Sequence, residues 1–346
     1  MTQPLVSIII VTWNARPLLE QCLPSVVAST YPNLELILAD NASTDDTVAW
    51  AEATYPHVRI VRNAENWGFS RGNNEAIRVA SGDVVVLLNN DVEVPPGWLE
   101  PLVAHMVAHP DVGAVQPKLL QYDDRTRFEY AGAAGGYLDA LGYPFARGRV
   151  FDHLEPDTGQ YDAIADIAWA TGAAMVLRRS ALDDVGLLDE RFFMHMEEID
   201  LCWRLWRGGY RVVAVPESVV FHIGGASLPQ ASPQKTFLNF RNNLLLLYKN
   251  LPTSRWLRVF AQRLLLDGIA AMRFLAQGEG QNALAVFRAY AAAHVMKSAY
   301  DDQRTNAASA VPIYPRSIVR QYFLRRRRTY SALTAALSDA ALSDSG

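Results

Sequence analysis

Residues 5–11 form an apolar run, interrupted only by Ser7, around Val6, Ile8, Ile9, Ile10 and Val11, which predicts a strand buried on both faces of a sheet. Leu18, Leu19, Cys22, Leu23, Val26 and Val27 then recur at helical spacing, with Pro24 marking a kink or a shifted boundary. The alternation continues with a strand at 34–39, a helix at 45–54 and a short strand at 58–61. A helix capped by Ser70 runs to about residue 80, and a buried strand follows at 84–88. Strands separated by helices of this length require right-handed crossovers. The fold class predicted is therefore α/β, Rossmann-like, with a mostly parallel central sheet and helices on both faces.

Periodicity fades over residues 121–166, where Gly, Tyr and Asp are frequent, and this stretch reads as long loops with an irregular hairpin. Order returns at 169–177, in a helix at about 197–207 and in a strand at 211–215. Beyond His222 the pattern is helical: 237–251, 256–277 and 283–297 are amphipathic, with arginine on the polar side. The organisation expected is one α/β unit over 1–230, a basic helical extension over 231–325 and a flexible tail over 326–346.

Half of the 346 residues are hydrophobic and 20% are charged, ample for a folded core. The net charge of −4 conceals a split: residues 1–230 carry 16 Lys+Arg against 30 Asp+Glu, a balance of −14, and residues 231–346 carry 16 against 6, a balance of +10. Two regions with different partners are the natural reading. No run of 18 apolar residues occurs, so no membrane-spanning helix is expected, and the N-terminus lacks the basic start of a signal peptide. Cys22 and Cys202 lie far apart in apolar helical contexts, which argues against a disulfide framework and for a cytoplasmic protein. Nucleic-acid binding is not expected, because no recognised motif accompanies the basic charge.

In an open α/β sheet, ligands bind beyond the carboxyl ends of the strands. The residues there are short and polar: Thr12, Trp13 and Asn14; Asp40 to Asp45; Asn66 to Phe69; and Asn89, Asn90 and Asp91. None forms a glycine-rich phosphate loop, which excludes the dinucleotide and P-loop signatures.

Six ordered segments carry a family resemblance: VSIIIVTWN (6–14), LILADNASTDDT (36–47), NWGFSRGNN (66–74), VVVLLNNDVEV (84–94), FFMHMEEIDLCWRL (192–205) and VVFHIGGAS (219–227). Together they are similar to the motifs of family 2 inverting glycosyltransferases with the GT-A fold, above all the rhamnosyltransferase-like branch that builds surface polysaccharides. The resemblance spans residues 4–228 and divides the α/β unit into a nucleotide-sugar half, 1–120, and an acceptor half, 121–230. It implies a nucleotide-diphosphate sugar donor, dTDP-rhamnose or a UDP-sugar, and a glycan or lipid-linked glycan acceptor.

The resemblance also implies roles for particular residues. Thr12, Asn14 and Asp40 hold base and ribose, and Asn66, Gly68, Phe69 and Asn73 form a loop over the nucleotide. Asn89, Asn90 and Asp91 stand where the family has an Asp-X-Asp motif, its first acid here replaced by asparagine. Asp91 is then the main carboxylate ligand of Mg2+ or Mn2+, and His222 a second ligand. Glu198 is the general base, with Glu197 and Asp200 as alternatives, and Trp169, Thr171 and Gly172 lie on the acceptor side.

Each assignment has a structural counterpart. Asp40 to Asp45 also reads as an Asx-rich turn, His222 as a core histidine, and Trp169 as core packing. Carboxylates in the first turn at residue 197 also suit a helix N-terminus, and Asp200 with Arg204 is an i,i+4 pair. The basic helices face a membrane, a second copy or the acidic region itself. The competing functions are a sugar nucleotidyltransferase, or a catalytically silent glycan-binding protein of the same fold.

Overall fold

The computed structural model describes residues 3–224, 232–304 and 310–343. Its first half runs β1 (Val6–Thr12), α1 (Arg16–Val27), β2 (Leu34–Asp40), α2 (Thr47–Thr54), β3 (Arg59–Arg62), α3 (Gly68–Val79), β4 (Val84–Asn89), β5 (Val92–Glu93), α4 (Leu99–Ala108) and β6 (Val112–Gln121). Then come the short strands β7 (Gly136–Asp139), β8 (Pro144–Ala146), β9 (Arg149–Val150), β10 (His153–Leu154) and β11 (Ala165–Asp166). The unit closes with β12 (Ala174–Arg178), α5 (Arg179–Val185), α6 (Glu197–Arg207) and β13 (Arg211–His222). The extension contributes α7 (Pro233–Asn250), α8 (Thr253–Ala276), α9 (Gly280–Met296), β14 (Ile313–Tyr314) and α10 (Tyr330–Ser343). Among the described residues no helix is long and apolar enough to cross a membrane.

The central sheet has the order β11-β13-β6-β12-β4-β1-β2-β3, with β5 on β13. The strands β1 to β4 pair in parallel, as do β6 and β13, whereas β12 is antiparallel to both β4 and β6. The sheet is thus parallel in its first half and mixed in its second. An apolar run buried on both faces has no signature of direction, so the sequence pattern is silent on this reversal. Side chains alternate between two cores. Ile8, Ile10, Val86 and Leu88 pack with Leu19 and Leu23 of α1 and Leu102 of α4, and Ile9, Val85, Leu87 and Met175 pack with Ile77 of α3, Leu201 of α6 and Leu245 of α7. Burial of each such Leu or Ile contributes roughly 1.5–3 kcal/mol.

Four features differ from the sequence reading. Helix α3 begins at Gly68, and Ser70 lies inside it rather than capping it, because the amides of Phe69 and Ser70 donate to the Phe193 carbonyl at 2.8 and 3.1 Å. Strand β13 continues from Arg211 to His222 through an irregularity between Ala214 and Val219, where Pro216 cannot donate to the ladder. Within 121–166 the loops contain a small second sheet, β10-β9-β8-β7-β14. Its last strand comes from the extension and is anchored by buried Asp139, which accepts from the amides of Leu141, Tyr143 and Ile318 at 2.8–2.9 Å.

The tail expected to be flexible is helical over Tyr330–Ser343, with Leu333 and Ala336 buried; Leu333 packs beside Phe145 and Val150 of the small sheet. The expected boundary at residue 230 lies outside the described residues. On either side of it the apolar core is continuous, because Leu244 to Leu247 share a cluster with Ile9 and Trp203.

A buried charge cluster joins the extension to α6. Lys249 Nζ lies 2.9 Å from Asp200 and 3.0 Å from Asp189, Asn250 Nδ2 donates to Asp200 at 3.0 Å, and Arg204 Nε donates to Asp200 at 2.9 Å. Replacing Lys249 by methionine removes the cation shared by Asp189 and Asp200 and is expected to cost about 3–5 kcal/mol of stability in urea unfolding, whereas a loss below about 1 kcal/mol would show that Arg204 and Asn250 suffice for Asp200.

Candidate active site

Parallel register brings Thr12 level with Asp40, and Val11 level with Asn89, so the ends of β1, β2 and β4 form one rim. Asp40 is buried, accepts from the Ser43 amide at 3.0 Å through Oδ2, and leaves Oδ1 buried without a partner among the described residues. That free acceptor is suited to a ligand N–H or hydroxyl. Asn90 Nδ2 donates to Thr12 Oγ1 at 3.3 Å, which draws the β4 end toward β1. Asn14 has φ +47° and its Oδ1 accepts from the Thr44 amide at 2.7 Å, so it props the loop after β2.

The loop before α3 is shaped from within. Asn66 Oδ1 accepts from the Gly68 amide at 3.0 Å, Asn73 Nδ2 donates to the Phe69 carbonyl at 2.9 Å, and Asn41 Nδ2 donates to the Gly68 carbonyl at 2.9 Å. Gly68 has φ +69°, and a β-carbon there would lie 2.6 Å from the Phe193 ring. The close approach this glycine permits is therefore to Phe193.

Phe193 belongs to a strained loop over residues 192–196, in which Phe193, His195 and Met196 all have φ between +66° and +74°. Such conformations cost on the order of 1–3 kcal/mol each and persist only where their surroundings impose them. Fully buried Asn242 of α7 imposes this one: its Nδ2 lies 3.0, 2.9 and 2.8 Å from the carbonyls of Phe192, Met194 and His195.

Buried Asp91 and His222 meet, with Oδ1 and Nε2 3.0 Å apart, and the strand pair β5 and β13 sets the two side by side. On the other side of the ring, Nδ1 lies 3.2 Å from Glu129 Oε1. Burial alone would lower the imidazole pKa, but the carboxylates of Glu129 and Asp91 outweigh it and raise it to about 10. A cation taken between Asp91 and His222 would replace that proton, with Glu129 orienting the ring. An oxygen and an imidazole nitrogen fit a divalent ion, but among the described residues no group of three or more His, Cys, Asp or Glu could hold one. The remaining ligands of such an ion would be oxygens of the bound donor and water. Gly225 to Ser227, which complete the His222 motif, lie outside the described residues.

At the start of α6 three acids have different environments. Asp200 is fully buried and fully used by Arg204, Lys249 and Asn250, which outweigh burial and hold its carboxyl below the ordinary value. It is a structural anchor, and the expectation that it shares the base role is corrected. Glu197 is buried, and burial together with the Glu198 charge raises its pKa well above the ordinary value. Burial raises Glu198 to about 7, the helix-start amides offsetting only part of the effect. Glu198 is partly exposed, and Oε2 of both glutamates lacks a protein partner.

Gly172 lies between this acid and the loop before α3: a β-carbon there would sit 3.0 Å from Phe69 Cζ and 3.9 Å from Glu198 Cβ. The next residue, Ala173, accepts from the Asn89 amide at 3.0 Å, so one turn touches that loop, the β4 end and α6. Thr171 is buried, with its amide on Gln116 Oε1, and shapes that turn. Trp169 departs from the acceptor-side expectation. Its ring is buried over Gly136 and its Nε1 donates to the Tyr137 carbonyl at 3.0 Å, so it packs the core and has no face for a sugar.

Glu129 and Asn242 were not singled out by the sequence, and Asn41 was marked only as one of the short polar residues that follow β2. Glu129 lies in the aperiodic stretch and carries no signal, whereas Asn242 and Asn243 inside a Leu-rich helix are the mark of buried, bonded polar groups.

This arrangement of strand-end polar groups, a carboxylate–imidazole pair and a buried acid at a helix start stands on a GT-A fold. The chain superposes on GalNAc-T7, solved with UDP, GalNAc and Mn2+, with TM-score 0.56 and 19% identity over 71% of this chain and 48% of that one. Staphylococcus aureus TarS 1-349 matches with TM-score 0.52 and 15% identity over 86% of this chain and 88% of that one. Residues 7–186 match glycosyl transferase family 2, and the chain belongs to that family.

Relatives include the N-acetylglucosaminyl-diphospho-decaprenol L-rhamnosyltransferase of Mycobacterium tuberculosis, 31% identical over 62% of this chain and 75% of that protein. An O-antigen biosynthesis protein of Myxococcus xanthus is 32% identical over 69% of this chain, and Sinorhizobium fredii protein y4gI is 33% identical over 70%. The chain spans only 19% and 27% of those two longer proteins.

Because both glutamates have folded-state pKa values above the ordinary 4.5, their ionisation opposes folding. The stability of the protonated pair is fully present below that value and is lost as pH rises through about 7. Glu197→Gln is therefore expected to be neutral in urea unfolding near pH 4 and increasingly stabilising toward about pH 8; a stability difference that does not grow with pH would contradict the assignment.

Proposed function

We propose that this chain is an inverting glycosyltransferase that moves rhamnose from dTDP, or a sugar from UDP, to a hydroxyl of a glycan or lipid-linked glycan during synthesis of cell-surface polysaccharide. The observation that carries this reading is Glu198, an acid with a pKa of about 7 at a rigid helix start, in contact range of the donor loop through Gly172. The mycobacterial rhamnosyltransferase, named for an N-acetylglucosaminyl-diphospho-decaprenol acceptor, supports the sugar and the lipid-linked acceptor, and the Myxococcus O-antigen biosynthesis protein supports the polysaccharide role.

In this mechanism Thr12 and Asp40 bind the nucleoside, and the loop of Asn66, Gly68, Phe69 and Asn73 covers it. Glu198 takes the proton of the acceptor hydroxyl as that oxygen bonds to the anomeric carbon, and the bond from that carbon to the diphosphate oxygen breaks on the opposite face, inverting the centre. Burial and the Glu198 charge raise Glu197 as well, so the two glutamates titrate as a pair, of which Glu198 is the partly exposed member. Asp91 and His222 would hold Mg2+ or Mn2+, which supplies positive charge to the departing diphosphate; the Mn2+ in the GalNAc-T7 complex supports this choice.

The free, buried Cys22 and Cys202 support a cytoplasmic setting, and α8 and α9 are where a membrane or a second copy would make contact. Purified protein incubated with dTDP-, UDP- and GDP-sugars and Mg2+ or Mn2+ is expected to release nucleotide, and chelation should stop it. Glu198→Gln should lower kcat by about 100- to 10,000-fold and leave donor affinity intact. Turnover that survives this substitution moves the base elsewhere, and no release from any donor favours a silent glycan-binding protein.

A further inference from the structure

Helix α8 has a buried inner row and an outer side that is apolar but exposed. Val259, Arg263, Asp267 and Ala271 recur every four residues and are buried, whereas Leu257, Leu264, Leu265, Ile269, Met272 and Leu275 are 50–67% exposed. At helical spacing these six fall on the side opposite the buried row, a strip about 27 Å long. Continuous apolar surface of this kind marks an interaction site.

Charge along the strip has one sign. Arg255, Arg258 and Arg273 are at or near the surface of α8, and among the described residues none of them forms an ion pair; the ion pairs of α7 and α8 are made by Lys249 and Arg263. The one acid of α8, Asp267, is buried and taken by Arg263, Tyr143 and Tyr290. Arg273 also sits 5.8 Å over the ring of Phe323, which places next to the strip a segment with exposed Phe323 and Leu324 followed by Arg325 to Arg328.

We propose that α8 lies flat on an anionic bilayer, its leucine-rich outer side in the acyl boundary and its arginines, with the Arg325 to Arg328 run, on lipid phosphates. Apolar surface and a polybasic cluster are the two signals that stable surface binding needs. The same helix is too charged to cross the bilayer. A two-fold contact between copies would instead bring arginine edges together with no exposed acid of α8 to pair them. The inference stands on the surface of α8 and is independent of the transferase reading.

The test is flotation of the full chain with vesicles containing phosphatidylglycerol, compared with vesicles of phosphatidylcholine alone. Binding is expected to the anionic vesicles, weakening as salt rises from about 0.1 to 0.5 M. Removing charge in Arg258→Gln/Arg273→Gln should weaken it roughly fivefold for each arginine, and Leu265→Glu/Met272→Glu should abolish it without lowering the thermal midpoint. The charge variant alone decides the matter if the second fails to fold. Absence of binding, equal binding to neutral vesicles, or binding unchanged in the charge variant overturns the proposal. So does a dimer in sedimentation that Leu265→Glu/Met272→Glu dissolves while vesicles bind nothing.

Discussion

Three backbone carbonyls of residues 192–196 converge on the single amide nitrogen of Asn242, and the rest of the site is arranged around the loop so held. That loop contains three non-glycine residues in the left-handed region, which an unsupported chain would abandon. Its Phe193 carbonyl satisfies the first amides of α3, and its last residue, Met196, opens α6. The loop before α3 and the start of α6 are therefore two ends of one constraint, and the residue that enforces it comes from the extension. Helices that look like an appendage in the sequence are part of what orders the candidate site.

The acids of α6 show how environment divides one cluster into separate tasks. Asp200 faces Arg204, Lys249 and Asn250 and stays ionised in the core; Glu197 and Glu198, one turn away and without cations, are pushed upward by burial. The same helix N-terminus acts on all three, so the macrodipole does not distinguish them. What does is whether α7 reaches them. A corresponding division holds for the basic residues: Lys249 and Arg263 are spent inside the fold, while Arg255, Arg258 and Arg273 form no ion pair among the described residues and stand beside an apolar surface.

Much of the site was legible because strand ends are where α/β sheets bind ligands. Asp40 with its free oxygen, the Asp91 and His222 pair and the perturbed Glu198 all stand at positions the motifs marked. Other marked residues serve the protein instead. Asn14, Asn66 and Asn73 spend their amides on loop backbone, and Trp169 fills the core over Gly136. A polar side chain in a loop motif has the same sequence signature whether its partner is a ligand or a neighbouring amide.

By itself the sequence determined the α/β alternation, the positions of the first four strands along the chain and the family, because apolar periodicity and strand-end polarity are local and survive without coordinates. Only the tertiary structure decided that β12 runs antiparallel, that Glu129 backs His222, and that Asn242 and Lys249 reach across from the extension to the loop and to Asp200. Those are contacts between residues far apart in the chain, some of them in aperiodic segments. Their energies come from burial and from the pairing of particular polar atoms, and neither quantity exists until the chain has folded.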